Sequence, residues 1–272
     1  MENKLLKLEN YLRETGGAVL AYSGGVDSAF LLNVARLILK DKFLAVIGVS
    51  DTFPKEELQN ATALAEKLNT PYLVIETNEM RDANFINNPP ERCYFCKKEL
   101  FTQIAKIAKK HNYNYILDGS NADDINDFRP GMKAAKEMGV LSPLKEVGLT
   151  KQEIRTLSKQ AGLPTWDKPA MACLSSRFPY GTPITKDKLN MVEQAEAFLR
   201  KNGLRQIRVR IHDQSARIEV ESTYISKITQ DPLKSEISTY LKELGFKFVS
   251  IDLDGFKSGN MNATLPEVEN ES

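Results

Sequence analysis

Residues 21–32 read AYSGGVDSAFLL, in which an apolar run leads into a pair of glycines and then into residues at helical spacing. The glycines allow the backbone to turn tightly and bring its amide groups close to a ligand, while Ser23 and Ser28 add hydroxyl donors. The positive amino-terminal end of the following helix would face the same place. The stretch is neither GxGxxG nor a Walker A loop, because no Gly-Lys-Ser/Thr follows the glycines. It predicts a phosphate-binding turn, and the competing interpretation is a plain tight turn in which Asp27 caps the helix.

Apolar runs alternate with helix-period segments around this turn, which predicts an α/β domain with a parallel sheet covered by helices. Such sheets bind ligands at the carboxyl ends of their strands. The predicted strands are residues 18–22, 43–49, 72–75, 115–117 and 140–144, and the predicted helices are residues 29–39, 54–68, 97–110, 129–138 and 151–161.

The pattern changes after these elements. Residues 162–185 carry four prolines and no clear period, which predicts a long structured loop. The later segments alternate like those of a small α+β domain. We expect a first domain over residues 1–185, a second over 186–257 and a polar, frayed tail over 258–272. The second domain is predicted to contain helices at 186–201 and 233–244 and strands at 206–211, 216–220 and 246–253.

The overall charge of the chain is close to zero, with 37 Lys and Arg against 36 Asp and Glu in 272 residues. No global positive field is available to hold a polyanion, so a nucleic-acid partner is disfavoured. The amino terminus lacks the apolar stretch of a signal peptide, and no run approaches the ~20 apolar residues needed to span a bilayer. The sequence predicts a cytoplasmic protein with no membrane partner.

A polar string, DGSNADD, follows the fourth predicted strand at residues 118–124. Acidic and amide groups at a strand's carboxyl end can hold hydrated Mg²⁺ against nucleotide phosphates. Turn formation alone would also explain the string. The candidate nucleotide contacts here are Gly119 and Asn121, and the candidate magnesium ligands are Asp27, Asp123 and Asp124.

The three cysteines are an odd set, with Cys93 and Cys96 in a CxxC and Cys173 in the long loop. A lone CxxC is compatible with a redox pair, half a zinc site or coincidence, and a reducing compartment disfavours a disulfide. Structural zinc takes four protein ligands, which only His111 or His212 could complete. Three thiolates without a fourth suit a 4Fe-4S cluster with one open iron, which can bind an exogenous sulfide.

The segment SGGVDS at residues 23–28 matches the PP-loop motif of N-type ATP pyrophosphatases, which cleave ATP between the α and β phosphates. Together with NPPERCYFCKKELF (88–101), DGSNADD and above all KPAMACLSSRFPYGTPIT (168–185), it makes the chain resemble the LarE family from about residue 5 to residue 255. LarE proteins are ATP-dependent sulfur transferases of nickel-pincer nucleotide cofactor biosynthesis. The resemblance implies a PP-loop (adenine nucleotide alpha hydrolase-like) domain that uses ATP and Mg²⁺. The residues it implies for ATP are Ser23, Gly24, Gly25, Asp27 and Ser28.

The chemistry implied by the resemblance is adenylation of the carboxylates of pyridinium-3,5-biscarboxylic acid mononucleotide and their conversion to thiocarboxylates. In the sacrificial version of the family reaction, the residue matching Cys173 gives up its own sulfur and becomes dehydroalanine. The CxxC resembles the subgroup whose three cysteines hold a 4Fe-4S cluster carrying an extra sulfide. We therefore expect Cys93, Cys96 and Cys173 to hold a cluster, with sacrificial use of Cys173 as the alternative. The family also implies a sulfide source and a homo-oligomer.

A mononucleotide substrate needs a second phosphate site. Arg208 and Arg210 lie two apart on a predicted strand and would face the same side, and Arg177 is a further candidate. A solvated basic strand face is the competing interpretation. The resemblance also implies that Glu196 and Glu219 lie near the sulfur-transfer centre.

Three other functions compete with this hypothesis. A tRNA thiolase would need a basic surface or an RNA-binding extension, for which the sequence gives no sign. An amide-forming PP-loop ligase would need no clustered cysteines. A regulatory protein that binds ATP without turning it over would release no pyrophosphate.

Overall fold

The computed structural model describes residues 1–126, 130–169, 172–257 and 259–261. The chain divides into two compact units, one formed by Met1–Phe85 and Glu91–Met171 and the other by Ile86–Pro90 and Ala172–Ser272. The predicted loop of residues 162–185, which the sequence assigns to the first domain, is divided between the two units, and Cys173 belongs to the second.

The strands of the first unit form one parallel sheet. They are β1 (Ala18–Ala21), β2 (Phe43–Val49), β3 (Tyr72–Glu76) and β4 (Ile116–Leu117), in the spatial order β3-β2-β1-β4. The fifth predicted strand, residues 140–144, is reduced to a single parallel bridge between Leu117 and Leu141. Pro143 explains the difference, because it has no N–H for a strand ladder and instead occupies the first turn of a short helix.

The helices predicted up to residue 161 are present in the structure. The structure adds α1, α4 and α7, and α5 begins earlier than predicted. They are α1 (Glu2–Thr15), α2 (Val26–Leu39), α3 (Lys55–Lys67), α4 (Ala83–Ile86), α5 (Arg92–Lys110), α6 (Pro130–Glu137), α7 (Pro143–Glu146) and α8 (Lys151–Gln160). Alternate residues of β1 enter two different core clusters, Ala18 and Leu20 in one and Val19 and Ala21 in the other. Both faces of the central strand are therefore covered, which confirms the predicted α/β sheet.

The second unit is a smaller α+β structure, as expected. Its strands β5 (Ile207–His212) and β6 (Ser215–Val220) are antiparallel, while β7 (Phe248–Ile251) runs parallel to β6. A parallel neighbour requires a crossover connection. The helices between β6 and β7 supply it, and the helices of this unit are α9 (Lys186–Lys201), α10 (Ser222–Ile228) and α11 (Leu233–Glu243).

Residues Ile86–Pro90 join the second unit although they lie within the first in sequence. Asn88 is completely buried, adopts a positive φ of 53°, and donates its side-chain amide to the carbonyls of Phe178 (3.2 Å) and Pro179 (2.7 Å). Its own carbonyl accepts from the amide of Gly181 at 2.9 Å. The segment just before the CxxC is thus bound to the segment just after Cys173.

The carboxyl-terminal tail is described only at residues 259–261, and the rest of the predicted frayed tail lies outside the described residues. Asn260 donates its amide to Glu219 Oε1 at 2.8 Å, so this part of the tail contacts the second unit. Across the described parts of the chain, none of the helices has the length and apolar character needed to cross a membrane.

Candidate functional site

The glycine turn lies between β1 and α2, as the sequence predicts. Gly24 has a φ of +71°, and a Cβ at this position would lie 2.8 Å from the Cβ of Ala61. Gly25 is the N-cap of α2, and among the described residues no side chain caps this helix. Asp27 is inside the first turn, so the plain turn capped by Asp27 is not what forms. The uncapped amides remain available to an anion.

The two serines of the turn contact each other. Ser23 Oγ lies 3.1 Å from Ser28 Oγ, and the hydroxyl of Ser28 also donates to the carbonyl of Gly25 at 3.1 Å. Gly119, which follows β4, packs against the same helix start, because a Cβ there would lie 2.9 Å from the backbone nitrogen of Ser28. The loop after β4 and the glycine turn therefore adjoin, as expected for the carboxyl ends of neighbouring parallel strands.

Replacing Gly24 with alanine is expected to lower the free energy of unfolding by about 1–3 kcal/mol, because alanine is strained at positive φ and its methyl group would overlap Ala61. The Gly25→Ala variant is the matched control. Gly25 has a negative φ of −73°, and its Cβ would meet only Ser23 Oγ, at an ordinary 3.5 Å. Chemical denaturation of both variants checks the prediction, and equal losses would contradict it.

Asp27 is the central carboxylate of this region. Its Oδ2 pairs with Lys151 Nζ at 2.5 Å, whereas Oδ1 is buried without a hydrogen-bond partner among the described residues. Burial raises the pKa of Asp27 and Lys151 opposes this, while the nearby carboxylate of Asp124 raises the pKa further and the side chain of Asn121 lowers it. A buried, unmatched carboxylate oxygen beside a second acid fits a divalent cation, because oxygen atoms are the ligands that Mg²⁺ prefers.

The other predicted magnesium ligands accept hydrogen bonds from backbone amides. Asp124 Oδ2 accepts from the amide of Asn121, and Asn121 Oδ1 accepts from the amide of Asp123, both at 2.9 Å. Asp123 Oδ2 accepts from the backbone nitrogen of Lys151 at 2.8 Å, at the start of α8. Asp123 therefore serves the helix amino terminus, while Asp27 and Asp124 are the pair whose charges interact.

Two lysines that contact this region were not predicted from the sequence. Lys151 contacts Asp27, and Lys168 Nζ donates to the carbonyl of Gly24 at 3.0 Å and pairs with Glu57 Oε2 at 2.7 Å. Both pairings join residues far apart in the chain, so no local pattern reveals them. The one signal in the sequence is the position of Lys168 at the start of the KPAMACLSSR segment, whose predicted site residues were Cys173 and Arg177.

In the second unit, Cys173 has its backbone fixed by its neighbours. Its carbonyl accepts from Ser176 N (3.0 Å), Ser176 Oγ (2.9 Å) and Arg177 Nη1 (3.1 Å). Arg177 is fully buried and forms a bidentate pair with Glu196, at 2.7 Å from Nε to Oε1 and 2.8 Å from Nη2 to Oε2. Arg177 and Glu196, for which different roles were predicted, therefore belong to one hydrogen-bonded network that includes the backbone of Cys173.

Arg208 and Arg210 are both buried, so the solvated basic face is not what forms. Arg210 makes a bidentate pair with Glu219, at 2.5 and 2.8 Å, and donates to the carbonyl of Ser176 at 2.8 Å. The guanidinium of Arg208 lies 5.0 Å from the ring centre of Phe256. Burial, together with the charge of Arg177, lowers the pKa of Arg208 to about 10. Arg177 and Arg210 are therefore each paired with a buried glutamate inside this unit.

None of the three cysteines is in a disulfide bond, and each is half-buried. Cys93 and Cys96 lie three apart on the first turn of α5 and so share one helix face, in the first unit, whereas Cys173 belongs to the second. Within residues 1–126, 130–169, 172–257 and 259–261, no three His, Cys, Asp or Glu side chains form a group that suits a metal ion. The thiol donors fit an iron-sulfur cluster in their chemistry, but an assembled ligand set is not observed.

Comparison with known proteins gives matches over different lengths. Residues 1–112 match the family described as NAD synthase. An uncharacterized protein of Synechocystis sp. is 44% identical over 97% of this chain and 99% of its own length. Pyridinium-3,5-bisthiocarboxylic acid mononucleotide synthase of Lactiplantibacillus plantarum is 37% identical over 95% of this chain and 93% of its own length. A subunit of the glutamine-hydrolysing GMP synthase of Archaeoglobus fulgidus is 24% identical over 72% of this chain and 67% of its own length.

Proposed function

Because the chain belongs to the LarE family of PP-loop ATP pyrophosphatases, we propose that it adenylates the carboxylates of pyridinium-3,5-biscarboxylic acid mononucleotide and replaces a carboxylate oxygen with sulfur. The observation that carries the proposal is the similarity to the Lactiplantibacillus plantarum synthase over 95% of the chain. The uncapped glycine turn and the unmatched oxygen of Asp27 support the ATP-dependent half of the reaction.

In the first step, the turn around Gly24 and the free amides of α2 hold the β and γ phosphates of ATP. Asp27 and Asp124 would hold Mg²⁺, which neutralises charge on the phosphates. A substrate carboxylate oxygen attacks the α-phosphorus, the bond from that phosphorus to the bridging oxygen breaks, and pyrophosphate leaves. The product is an acyl adenylate, in which AMP has become a good leaving group.

In the second step, sulfur attacks the activated carbonyl carbon and the bond to AMP breaks, which leaves a thiocarboxylate. A 4Fe-4S cluster, held by Cys93, Cys96 and Cys173, would supply this sulfur as a sulfide bound at its open iron. The buried arginines Arg177, Arg208 and Arg210 remain our candidates for the substrate's phosphate, with Glu196 and Glu219 orienting them.

A second candidate is sacrificial transfer. The Cys173 thiol would lose its proton, attack the acyl carbon of the adenylate and displace AMP, which gives a thioester. Loss of the Cys173 α-proton to a base would then break its Cβ–S bond. Sulfur would leave with the product, and the residue would become dehydroalanine. The three hydrogen bonds to the Cys173 carbonyl favour this candidate, because they fix the backbone of the residue that must react.

The test is anaerobic purification followed by iron and acid-labile sulfide analysis and by a turnover assay with ATP, Mg²⁺, sulfide and the biscarboxylate substrate. We expect bound iron and more than one thiocarboxylate formed per chain. One sulfur or less per chain, with Cys173 converted to dehydroalanine, would replace the cluster hypothesis by the sacrificial one. Failure of the substrate to stimulate pyrophosphate release would refute the proposed function altogether.

A further inference from the structure

The side chain of Lys168 reaches the glycine turn from a distant part of the sequence. Its Nζ lies 3.0 Å from the carbonyl of Gly24 and 2.7 Å from Glu57 Oε2. The side chains of both charged residues are largely buried, at 15% and 9% exposure. A charge-assisted contact that is shielded from water is stronger than an exposed one. The position of Lys168 and the orientation of the Gly24 peptide therefore depend on each other.

The backbone around Lys168 is fixed independently by α8. Arg155 donates from Nη1 to the carbonyl of Trp166 and from Nη2 to the carbonyl of Lys168, both at 2.7 Å. The first residue of the same helix, Lys151, pairs with Asp27. The segment 166–168 is thus linked to the phosphate-binding turn at two points, directly through Lys168 and indirectly through α8.

We propose that Lys168 is a positioning residue that couples nucleotide in the glycine turn to the placement of residues 166–168. The inference rests on the proposed function, because it takes the turn as the ATP site.

The physical basis is competition for the ammonium group of Lys168 between its present partners, Gly24 and Glu57, and a bound phosphate. A phosphate bound to the amides of the turn fixes the Gly24 peptide and adds negative charge near Nζ, which alters the free energy of the Lys168 contact. A ligand shifts a conformational equilibrium only through such a difference in interaction between its states. Since Arg155 donates to the backbone carbonyls of both Trp166 and Lys168, we expect a change at Nζ to alter the surroundings of Trp166.

Trp166 gives a direct readout, because it is the single tryptophan of the chain, is partly exposed, and has Lys159 Nζ 4.5 Å from its ring centre. The probe is α,β-methylene-ATP with Mg²⁺, which occupies the turn without being cleaved. We expect its binding to change the fluorescence of Trp166 with the same midpoint that calorimetry gives. In the Lys168→Met variant, calorimetric binding should stay within about tenfold, while the fluorescence change at saturation should fall about fivefold or more.

The control is Lys159→Met, which removes the cation over the Trp166 ring and leaves the Lys168 contacts in place. It should alter the spectrum of the unliganded protein and keep the ligand-dependent change.

Each outcome decides between the hypotheses. A full fluorescence change in Lys168→Met, or none in the wild-type protein despite calorimetric binding, overturns the inference and leaves the proposed function standing. No calorimetric binding by the wild-type protein refutes the proposed function itself. If Lys168→Met does not fold, Glu57→Gln weakens the same contact from the other side and must reduce the fluorescence change for the inference to survive.

Discussion

Replacing Cys173 with alanine is expected to abolish thiocarboxylate formation while ATP-dependent pyrophosphate release continues. Both candidate mechanisms need this thiol, either as the sulfur that is transferred or as a cluster ligand, so the loss should be at least about 10³-fold. The glycine turn and Asp27 belong to the first unit and do not include this side chain. Pyrophosphate release should therefore change by no more than about threefold.

Both products should be measured in the same reaction mixture. Ser175→Ala is the matched control, because Ser175 lies in the same segment, is buried, and has a hydroxyl without a hydrogen-bond partner among the described residues. Removing that hydroxyl should leave both activities near the wild-type level. Thiocarboxylate formation by Cys173→Ala above about a tenth of the wild-type rate would show that the sulfur comes through another residue.

The Asp27→Asn variant is expected to lose pyrophosphate release by about 10²- to 10³-fold and to need more Mg²⁺ for half-maximal rate. The substitution keeps the shape of the side chain but removes the charge that both Lys151 and a bound cation would balance. Burial raises the pKa of Asp27, which means that its ionised form is costly in the fold, and Lys151 opposes this cost. The amide should therefore cost the fold little, and the loss should appear in catalysis.

The comparison variant is Asp123→Asn. Asp123 was also predicted as a magnesium ligand, but its Oδ2 accepts from the backbone nitrogen of Lys151. Weakening this contact should lower the free energy of unfolding by about 1 kcal/mol with a smaller effect on the magnesium dependence. Rates measured across a magnesium titration distinguish the two carboxylates. Equal effects of the two substitutions on the magnesium dependence would contradict this distinction and would mean that Asp123 also binds the cation.

The central part of the fold could be predicted from the sequence, because its local signals agree with its tertiary structure. β2 covers residues 43–49 as predicted, since a strand buried on both faces is a continuous apolar run. Helix α9 also has the predicted bounds, where Thr185 accepts from the amide of Lys188 at the N-cap. The fifth strand was wrong because Pro143 outweighed the apolar residues before it.

The site was predictable where its residues adjoin in sequence and not where they meet through space. The glycine turn and the string after β4 were found from their positions at strand ends. Lys151 and Lys168 were missed because their partners lie 124 and 144 residues away. The pairing of Arg177 with Glu196 was not foreseen either, although each residue was singled out, because a one-dimensional pattern does not reveal which buried charges neutralise each other.

The burial of Asn88 in the second unit has a bearing on how such a protein could have been assembled from simpler ones. Residues 86–90 contribute hydrogen bonds to the backbone of residues 178–181 and 184, yet they are encoded in the middle of the nucleotide-binding half. Transplanting the carboxyl-terminal half onto another ATP-binding scaffold by a single recombination event would leave this insert behind. The two halves are consequently obliged to be inherited together, or to be exchanged at more than one crossover point.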